Sequence, residues 1–325
     1  MGRAILCKAY GPPETLVVED VADPSPGPGE VAVRVRAVAL NFFDTLIIQG
    51  KYQIKPPFPF SPGAEFAGEI VAVGDGVSGF AVGDRVAGMT GYGACRERLV
   101  APQTSLVAIP DGLDDVRAAG LFVTYGTSMH ALRQRGELKP GETLVVLGAA
   151  GGTGLSAVEI GKLMGARVIA CASSDEKLDL AVAHGADETV NYAAEDLGPR
   201  LKQLTKGKGV DVLYDPVGDR LAEPALRAMG WGGRYLVIGF AGGEIPKIPL
   251  NLVLLKGCDV RGVFWGAFTE REPAEHRGNV GQLLSWAATG QLRAHVGGVY
   301  EPDGIVDALN ALARREAKGK LVIRF

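Results

Sequence analysis

Cysteine and histidine are scarce, four of each in 325 residues. The cysteines (Cys7, Cys95, Cys171 and Cys258) include no C-x-x-C pair, so no disulfide framework is expected, and a reducing, cytoplasmic setting fits. The histidines (His130, His184, His276 and His295) stand in unrelated contexts, and no Ser/His/Asp arrangement is legible. Long apolar runs are lacking too. The longest uncharged stretch, Thr143 to Val158, is glycine-rich and shorter than the roughly 20 apolar residues of a membrane span. The start has no apolar signal core, and Leu6 stands where a myristoylation site after Met1-Gly2 would need Ser or Thr, so no anchor is expected. An excess of one charge is also missing: the net charge is -3. The densest basic run, Lys202 to Lys208, is broken by polar residues and glycine and reads as a solvated helix end, which argues against nucleic acid as a partner.

What is present is an ordinary globular composition, 47% hydrophobic and 22% charged, in a chain long enough for two domains. There is no internal repeat and no low-complexity tract. The organising stretch runs from Thr143 to Lys177. A β-branched apolar run leads into Ala149-Ala150-Gly151-Gly152-Thr153-Gly154, apolar residues then recur at helical spacing from Leu155 to Leu163, and a second apolar run follows. This predicts strand, turn, helix, strand. Glycine lets backbone approach a pyrophosphate, and the helix start offers unpaired N–H groups to it, so an anionic dinucleotide is the expected guest. Ala149 replaces the first glycine of the G-x-G-x-x-G pattern, and a tight turn without ligand is the bland alternative.

Residues before about 120 read as β-rich, with short extended runs at 17–19, 31–35, 67–73 and 85–86 and little helical periodicity before Val116. From Thr143 onward strands and helices alternate. Further strands are expected at 167–172, 189–190, 210–214, 235–238 and 260–264, and a helix at 178–183 ending at Gly185. Six strands linked by helices imply an α/β fold, a Rossmann doubly wound parallel sheet. A helix at 280–288, a strand near 295–300, a helix at 305–314 and a final strand from Lys320 return the chain to the first domain. The expected domains are 1–122 with 266–325, and 123–265. A cleft between them is the expected place for a small substrate.

The end of the second strand decides the cofactor. An acid normally grips the ribose hydroxyls of NAD there, whereas this chain has Ala172-Ser173-Ser174, with Lys177 one turn into the next helix. Small hydroxyl residues leave room for a 2′-phosphate, and the Lys177 ammonium can pair with it, which favours NADPH over NADH. Two other readings stay open: Ser173 with Glu176 as a helix capping box, and Asp175 as a displaced ribose acid.

Across its whole length the chain resembles the zinc-free, zeta-crystallin-like quinone oxidoreductases of the medium-chain dehydrogenase/reductase superfamily. The resemblance rests on ordered motifs at 41–44 (Asn-Phe-Phe-Asp), 63–68, 82–86, 124–127, 149–154, 215–218 (Asp-Pro-Val-Gly) and 319–322 (Gly-Lys-Leu-Val). It implies that the β-rich part is a GroES-like catalytic domain. Asn41 and Ala64 stand where zinc-dependent relatives carry Cys and His ligands, so no metal is expected, and Glu65 reads as a structural carboxylate. By the same resemblance Thr124, Tyr192, Gly239-Phe240-Ala241, Phe264-Trp265-Gly266 and Lys320 border the cofactor. Phe240, Phe264 and Trp265 are equally credible as core or interface aromatics. Asn41, Asp44 and Tyr52 are implied around the substrate, with Asn41 also near the nicotinamide ribose. Their bland alternatives are a turn residue, a helix cap and a rim aromatic.

Hydride transfer without a Lewis acid needs an electrophilic acceptor, which favours quinones and conjugated carbonyls over alcohols. The expected function is NADPH-dependent quinone reduction. The alternatives are C=C reduction of conjugated enals, enones, acrylates or enoyl thioesters, and a non-enzymatic structural or RNA-binding role. The sixth strand would leave an exposed sheet edge, and relatives pair it across a two-fold axis, so a homodimer is expected.

Overall fold

Met1 to Phe325 are all described by the computed structural model. The first unit, Met1–Thr124 with Gly281–Gly290 and Ala294–Phe325, is built on strands. These are β1 (Gly2–Leu6), β2 (Val17–Val21), β3 (Glu30–Leu40), β4 (Glu65–Val73), β5 (Arg85–Met89), β6 (Arg98–Pro102) and β7 (Leu106–Ala108). The second unit, Tyr125–Val280 with Gln291–Arg293, holds β8 (Thr143–Leu147), β9 (Arg167–Ala172), β10 (Glu188–Asn191), β11 (Val210–Asp215), β12 (Met229–Val237) and β13 (Asp259–Gly262). The chain then returns to the first unit for β14 (Val296–Tyr300) and β15 (Lys320–Arg324).

In the first unit β1 pairs β2, and a second sheet runs β14-β15-β3-β4-β5-β7 with β6 also on β3. Strand β3 is its spine: eleven residues, mostly buried, that pair antiparallel with β4, β6 and β15. Its valines make a core with Ile5, Ile47, Phe66, Ile70 and Leu321. Pairing fixes the register that matters later. Glu65 of β4 faces Ala39, and Leu321 of β15 faces Leu40, so Lys320 and Glu65 both come to the end of β3. A one-residue slip would turn both side chains to the other face.

The second unit is a six-stranded parallel sheet in the order β10-β9-β8-β11-β12-β13, the doubly wound order in which strand direction of travel reverses beside β8. Every residue of β8 is buried, as a central strand covered by helices on both faces requires. Met229–Val237 is longer than the expected 235–238. The glycines at 230, 232 and 233 carry the strand back past an exposed Trp231.

Two expectations are corrected here. Phe42–Ile47 is a helix, in a region read as β-rich with little helical periodicity; it is only six residues long, too short for apolar periodicity to register. Residues 266–280 belong to the second unit and not to the first. Trp265 packs against Gly126, His130 stacks on Phe268 at 3.8 Å, and Asn279 bonds Gln134, so this stretch buries its aromatic face within the parallel-sheet unit.

The helix Gly152–Leu163 sits close over the β8 turn because Gly154 has no side chain. A Cβ there would lie 2.2 Å from the Gly148 carbonyl oxygen, whereas one at Gly151 would meet the same oxygen at 3.5 Å, an ordinary contact. Gly154→Ala should therefore destabilise the protein by about 1–3 kcal/mol, as overpacking does, and Gly151→Ala should leave the thermal midpoint unchanged. Equal midpoints for both variants would contradict this packing.

Candidate active site

In the parallel-sheet unit, the chain leaves β8 through Gly148 at positive φ, and Gly151 caps a twelve-residue helix with no acid in its first turn. Ala150, Gly151, Gly152 and Thr153 therefore present backbone, and Gly154 admits the close approach. The unpaired N–H groups and the positive end of the helix dipole suit a pyrophosphate. Two buried polar networks lock this helix in place. Ser128 Oγ meets Ser156 Oγ at 2.8 Å and the Tyr214 hydroxyl at 2.7 Å. Glu159 accepts from the Tyr125 hydroxyl at 2.9 Å and lies 2.5 Å from His184 Nδ1.

At the end of β9, Ser173 is exposed and Lys177 Nζ donates to its Oγ at 3.4 Å. Asp175 stands at the same strand end: its carboxylate accepts from Asn191 Nδ2 at 2.8 Å, and Asn191 pairs with Ala172. Tyr192 follows β10, and its N–H bonds the Ala172 carbonyl, which brings it beside the same strand end. Ser173, Lys177 and Tyr192 thus stand at the same end of the sheet.

After β12, Gly239 and Ala241 donate their N–H groups to the carbonyls of Asp215 and Pro216, and Phe240 remains exposed. The organising residue here is Asp215, which sequence reading quoted within a motif without assigning it a role. Its buried carboxylate accepts from the N–H groups of Val217 and Gly218, each at 2.8 Å, and from the Tyr235 hydroxyl, and so fixes the turn after β11. Burial pushes the Asp215 carboxyl up despite these donors. Phe264 is exposed and Gly266 lies in the helix that follows. Trp265 is a correction: its ring is buried against Gly126 and His276, so the side chain is core.

In the first unit, Asn41, Asp44, Glu65 and Lys320 form a buried cluster at the end of β3. Lys320 Nζ donates to the Leu40 carbonyl at 3.1 Å, to Asn41 Oδ1 at 2.7 Å and to Glu65 Oε1 at 2.6 Å. A lysine has three donors and all are spent, so Lys320 cannot serve a cofactor as the resemblance implied. Asn41 also donates to Glu65 Oε1 at 3.0 Å, so its amide bridges the Lys320 ammonium and the Glu65 carboxylate. Glu65 Oε2 accepts from the N–H groups of Phe122 at 3.0 Å and Val123 at 2.8 Å. Thr124 is buried one residue further on, its hydroxyl directed to the Gly120 carbonyl.

Asp44 takes its bland role. It is fully buried, with one oxygen on the Asn41 N–H at 2.7 Å and the other on the Gly63 N–H at 3.0 Å, so it caps the helix and ties down the loop before β4. Burial raises its pKa to about 7, against the pull of those two N–H groups and of Lys320. Tyr52 differs from both. It is half-buried and stacks on Phe43 at 5.2 Å, and its hydroxyl is not tied within the chain. Burial and the nearby Asp44 push that hydroxyl's pKa up, which keeps it a donor.

A parallel nucleotide sheet and an antiparallel β unit with a buried polar cluster, in one chain, define a dehydrogenase/reductase of the two-domain kind. Comparison with known proteins agrees. Residues 27–111 match the alcohol dehydrogenase GroES-like domain, and residues 152–279 match the zinc-binding dehydrogenase model. A quinone oxidoreductase-like protein 2 homolog of Nematostella vectensis is 38% identical over 325 residues, covering 99% of this chain and 88% of the relative. The quinone oxidoreductase of Pseudomonas syringae pv. Tomato DC3000 superposes with a TM-score of 0.92 at 34% identity over the full length of both chains. The Escherichia coli quinone oxidoreductase complexed with NADPH gives 0.91 at 28% identity, over 99% of this chain and 100% of that one. The chain belongs to the medium-chain dehydrogenase/reductase family, in its quinone oxidoreductase-like branch, and is an oxidoreductase with a nicotinamide cofactor.

The Asp44 geometry sets a pH dependence. Its folded value, about 7, lies above the ordinary 3.8, so the stability it contributes as a neutral acid is complete below about pH 4 and is lost as pH rises through 7. Asp44→Asn cannot titrate. The stability gap between wild type and this variant should narrow from pH 5 to pH 8 in urea titrations; a gap that widens would contradict the assignment.

Proposed function

We propose that this protein is a zinc-independent reductase that uses NADPH to reduce quinones. The observation that carries the reading is the state of the buried cluster: Lys320 Nζ already lies 2.6 Å from Glu65, so this buried carboxylate is matched by a cation of the chain itself. One matched family model is named for zinc, but the donors here do not fit it. Zinc prefers about four N, S or O ligands in tetrahedral array. No group of three His, Cys, Asp or Glu is gathered anywhere in the chain, and a divalent ion at Glu65 would meet the Lys320 ammonium.

The nicotinamide cofactor, by contrast, fits. Its pyrophosphate would rest on the turn at 148–154, and Lys177, Ser173 and Tyr192 would meet a 2′-phosphate. That cofactor supplies the hydride when bound. The chain's part is to orient and to exclude water, and the free Tyr52 hydroxyl is the group with a donor left for the oxygen of an acceptor. With no metal to polarise a carbonyl, the acceptor must be electrophilic by itself, as a quinone is. The branch of the family in which the relatives bear the quinone oxidoreductase name supports the same choice.

The test is oxidation of NADPH and NADH by metal-stripped protein against 1,4-benzoquinone, larger quinones, conjugated enals and 2-substituted acrylates. Turnover confined to quinones is the expected outcome; preference for the alkenes would replace quinone reduction by C=C reduction, and binding without turnover would point to a non-enzymatic role. Lys177→Ala should raise the KM for NADPH roughly tenfold, as loss of a charge-assisted bond does, and leave NADH unchanged. Equal effects on both cofactors would count against the phosphate role.

We infer also that two copies pair through the open edge of the parallel sheet. Strand β13 ends that sheet, Val260 is exposed on it and Phe264 just beyond it, and the neighbouring helix Leu250–Lys256 exposes Leu250, Leu254 and Leu255. An unpaired edge beside an apolar helix face invites a second copy. Light scattering should return about twice the 34.0 kDa chain mass, and a monomer mass in dilute solution would dismiss the pairing.

A further inference from the structure

Lys320 is the one lysine or arginine that the chain buries, at 3% exposure, and it is enclosed with a carboxylate at 0%. Its stem lies against Gly120, where a Cβ would come within 3.2 Å of Lys320 Cγ. Its three N–H groups end on Leu40, Asn41 and Glu65. Glu65 then spends its other oxygen on two backbone donors, Phe122 N–H and Val123 N–H. Those donors open the turn Leu121–Tyr125, a wide helical turn whose first amides would otherwise be orphaned in the interior. Thr124, at the position implied for the nicotinamide end, belongs to that turn.

We propose that Lys320 is a positioning residue that acts through Glu65: its fixed charge holds the carboxylate as a strut, and the strut sets the Leu121–Tyr125 turn and so the place of Thr124. Neither side chain needs to touch substrate. The cation does internally what a bound metal does for its ligands, since it neutralises and orients buried oxygen atoms, and it has no free coordination position to offer an acceptor. The link to turnover rests on the oxidoreductase reading above, but the strut itself is observable without any acceptor.

Three variants decide the matter: Lys320→Met, which keeps the bulk and removes the charge, Glu65→Gln, and the two combined. The readouts are hydrogen exchange at the Phe122 and Val123 amides, and kcat and KM with whichever acceptor the wild type uses. In Lys320→Met, exchange at those two amides should rise roughly tenfold or more and kcat should fall by a similar factor, with the KM for NADPH unchanged, as for loss of a charge-assisted bond. If Lys320 works through Glu65, adding Lys320→Met to Glu65→Gln should change each quantity by less than about twofold. Wild-type exchange in Lys320→Met overturns the proposal. So do losses that multiply in the double variant, or faster exchange with kcat unchanged. Should Lys320→Met fail to fold, the comparison of Glu65→Gln with the double variant decides, because replacing both charges by neutral groups of similar shape leaves no unmatched ion. A wild type that turns over no acceptor would defeat the functional reading, and exchange would still decide the strut.

Discussion

A carboxylate taken out of water must be met by an opposite charge and by N–H groups, or it costs more than the fold can supply. Glu65 is such a carboxylate, and the first unit is arranged to meet it. Its partners come from three separate stretches: Asn41 after β3, the backbone at Phe122 and Val123, and Lys320 at the start of β15. No local signal could bring these together. The antiparallel register does it, since β4 and β15 flank β3 at residues 39 and 40. Removing one partner of a buried pair of this kind costs about 3–5 kcal/mol. The network therefore constrains both the sheet and the turn that follows it.

The parallel-sheet unit answers a different demand with the same means. A pyrophosphate needs backbone donors held open and still, and glycine, which admits the ligand, is also the residue least able to hold itself still. The stiffness is supplied from beside and below. Ser156 and Glu159, on the helix that follows the glycine turn, are both buried and bonded, Ser156 to Ser128, which also meets Tyr214, and Glu159 to Tyr125 and His184. Asp215 does the same for the turn after β11. A mobile-looking glycine stretch is thus set on a helix whose buried polar face is fully engaged.

The parallel sheet was legible because its evidence is local. Apolar runs, glycine at the turn and helical spacing fall in one continuous stretch, and the missing acid at the end of β9 can be seen in three residues. The cluster of the first unit was legible only as a set of names. Resemblance brought Asn41, Asp44 and Lys320 to the site, but it gave Lys320 a ligand contact for which its hydrogen bonds leave no donor, and it did not show that Asn41 bridges Lys320 and Glu65. Whether a polar side chain faces a ligand or a buried partner depends on contacts across hundreds of residues, which spacing does not encode. Trp265 shows the same limit: an aromatic at a strand end reads equally as cleft or core, and the absence of a side chain at Gly126 is what made it core.

Of the three residues placed around the substrate, two turn inward, and this bears on how an acceptor is chosen. Asn41 and Asp44 supply rigidity, so recognition on the proposed reading falls to a ring face and a single hydroxyl, Phe43 and Tyr52 stacked at 5.2 Å. A stacked aromatic pair rewards flat, polarisable molecules and gives little directional discrimination among them, whereas a site with several committed hydrogen bonds rejects every analogue that cannot complete them. A flat electrophile that needs no metal to activate it is what such a surface can select, and a quinone meets both conditions. The same reasoning predicts breadth: where one hydroxyl is the sole polar contact, acceptors should be sorted by shape and reduction potential more than by the pattern of their substituents.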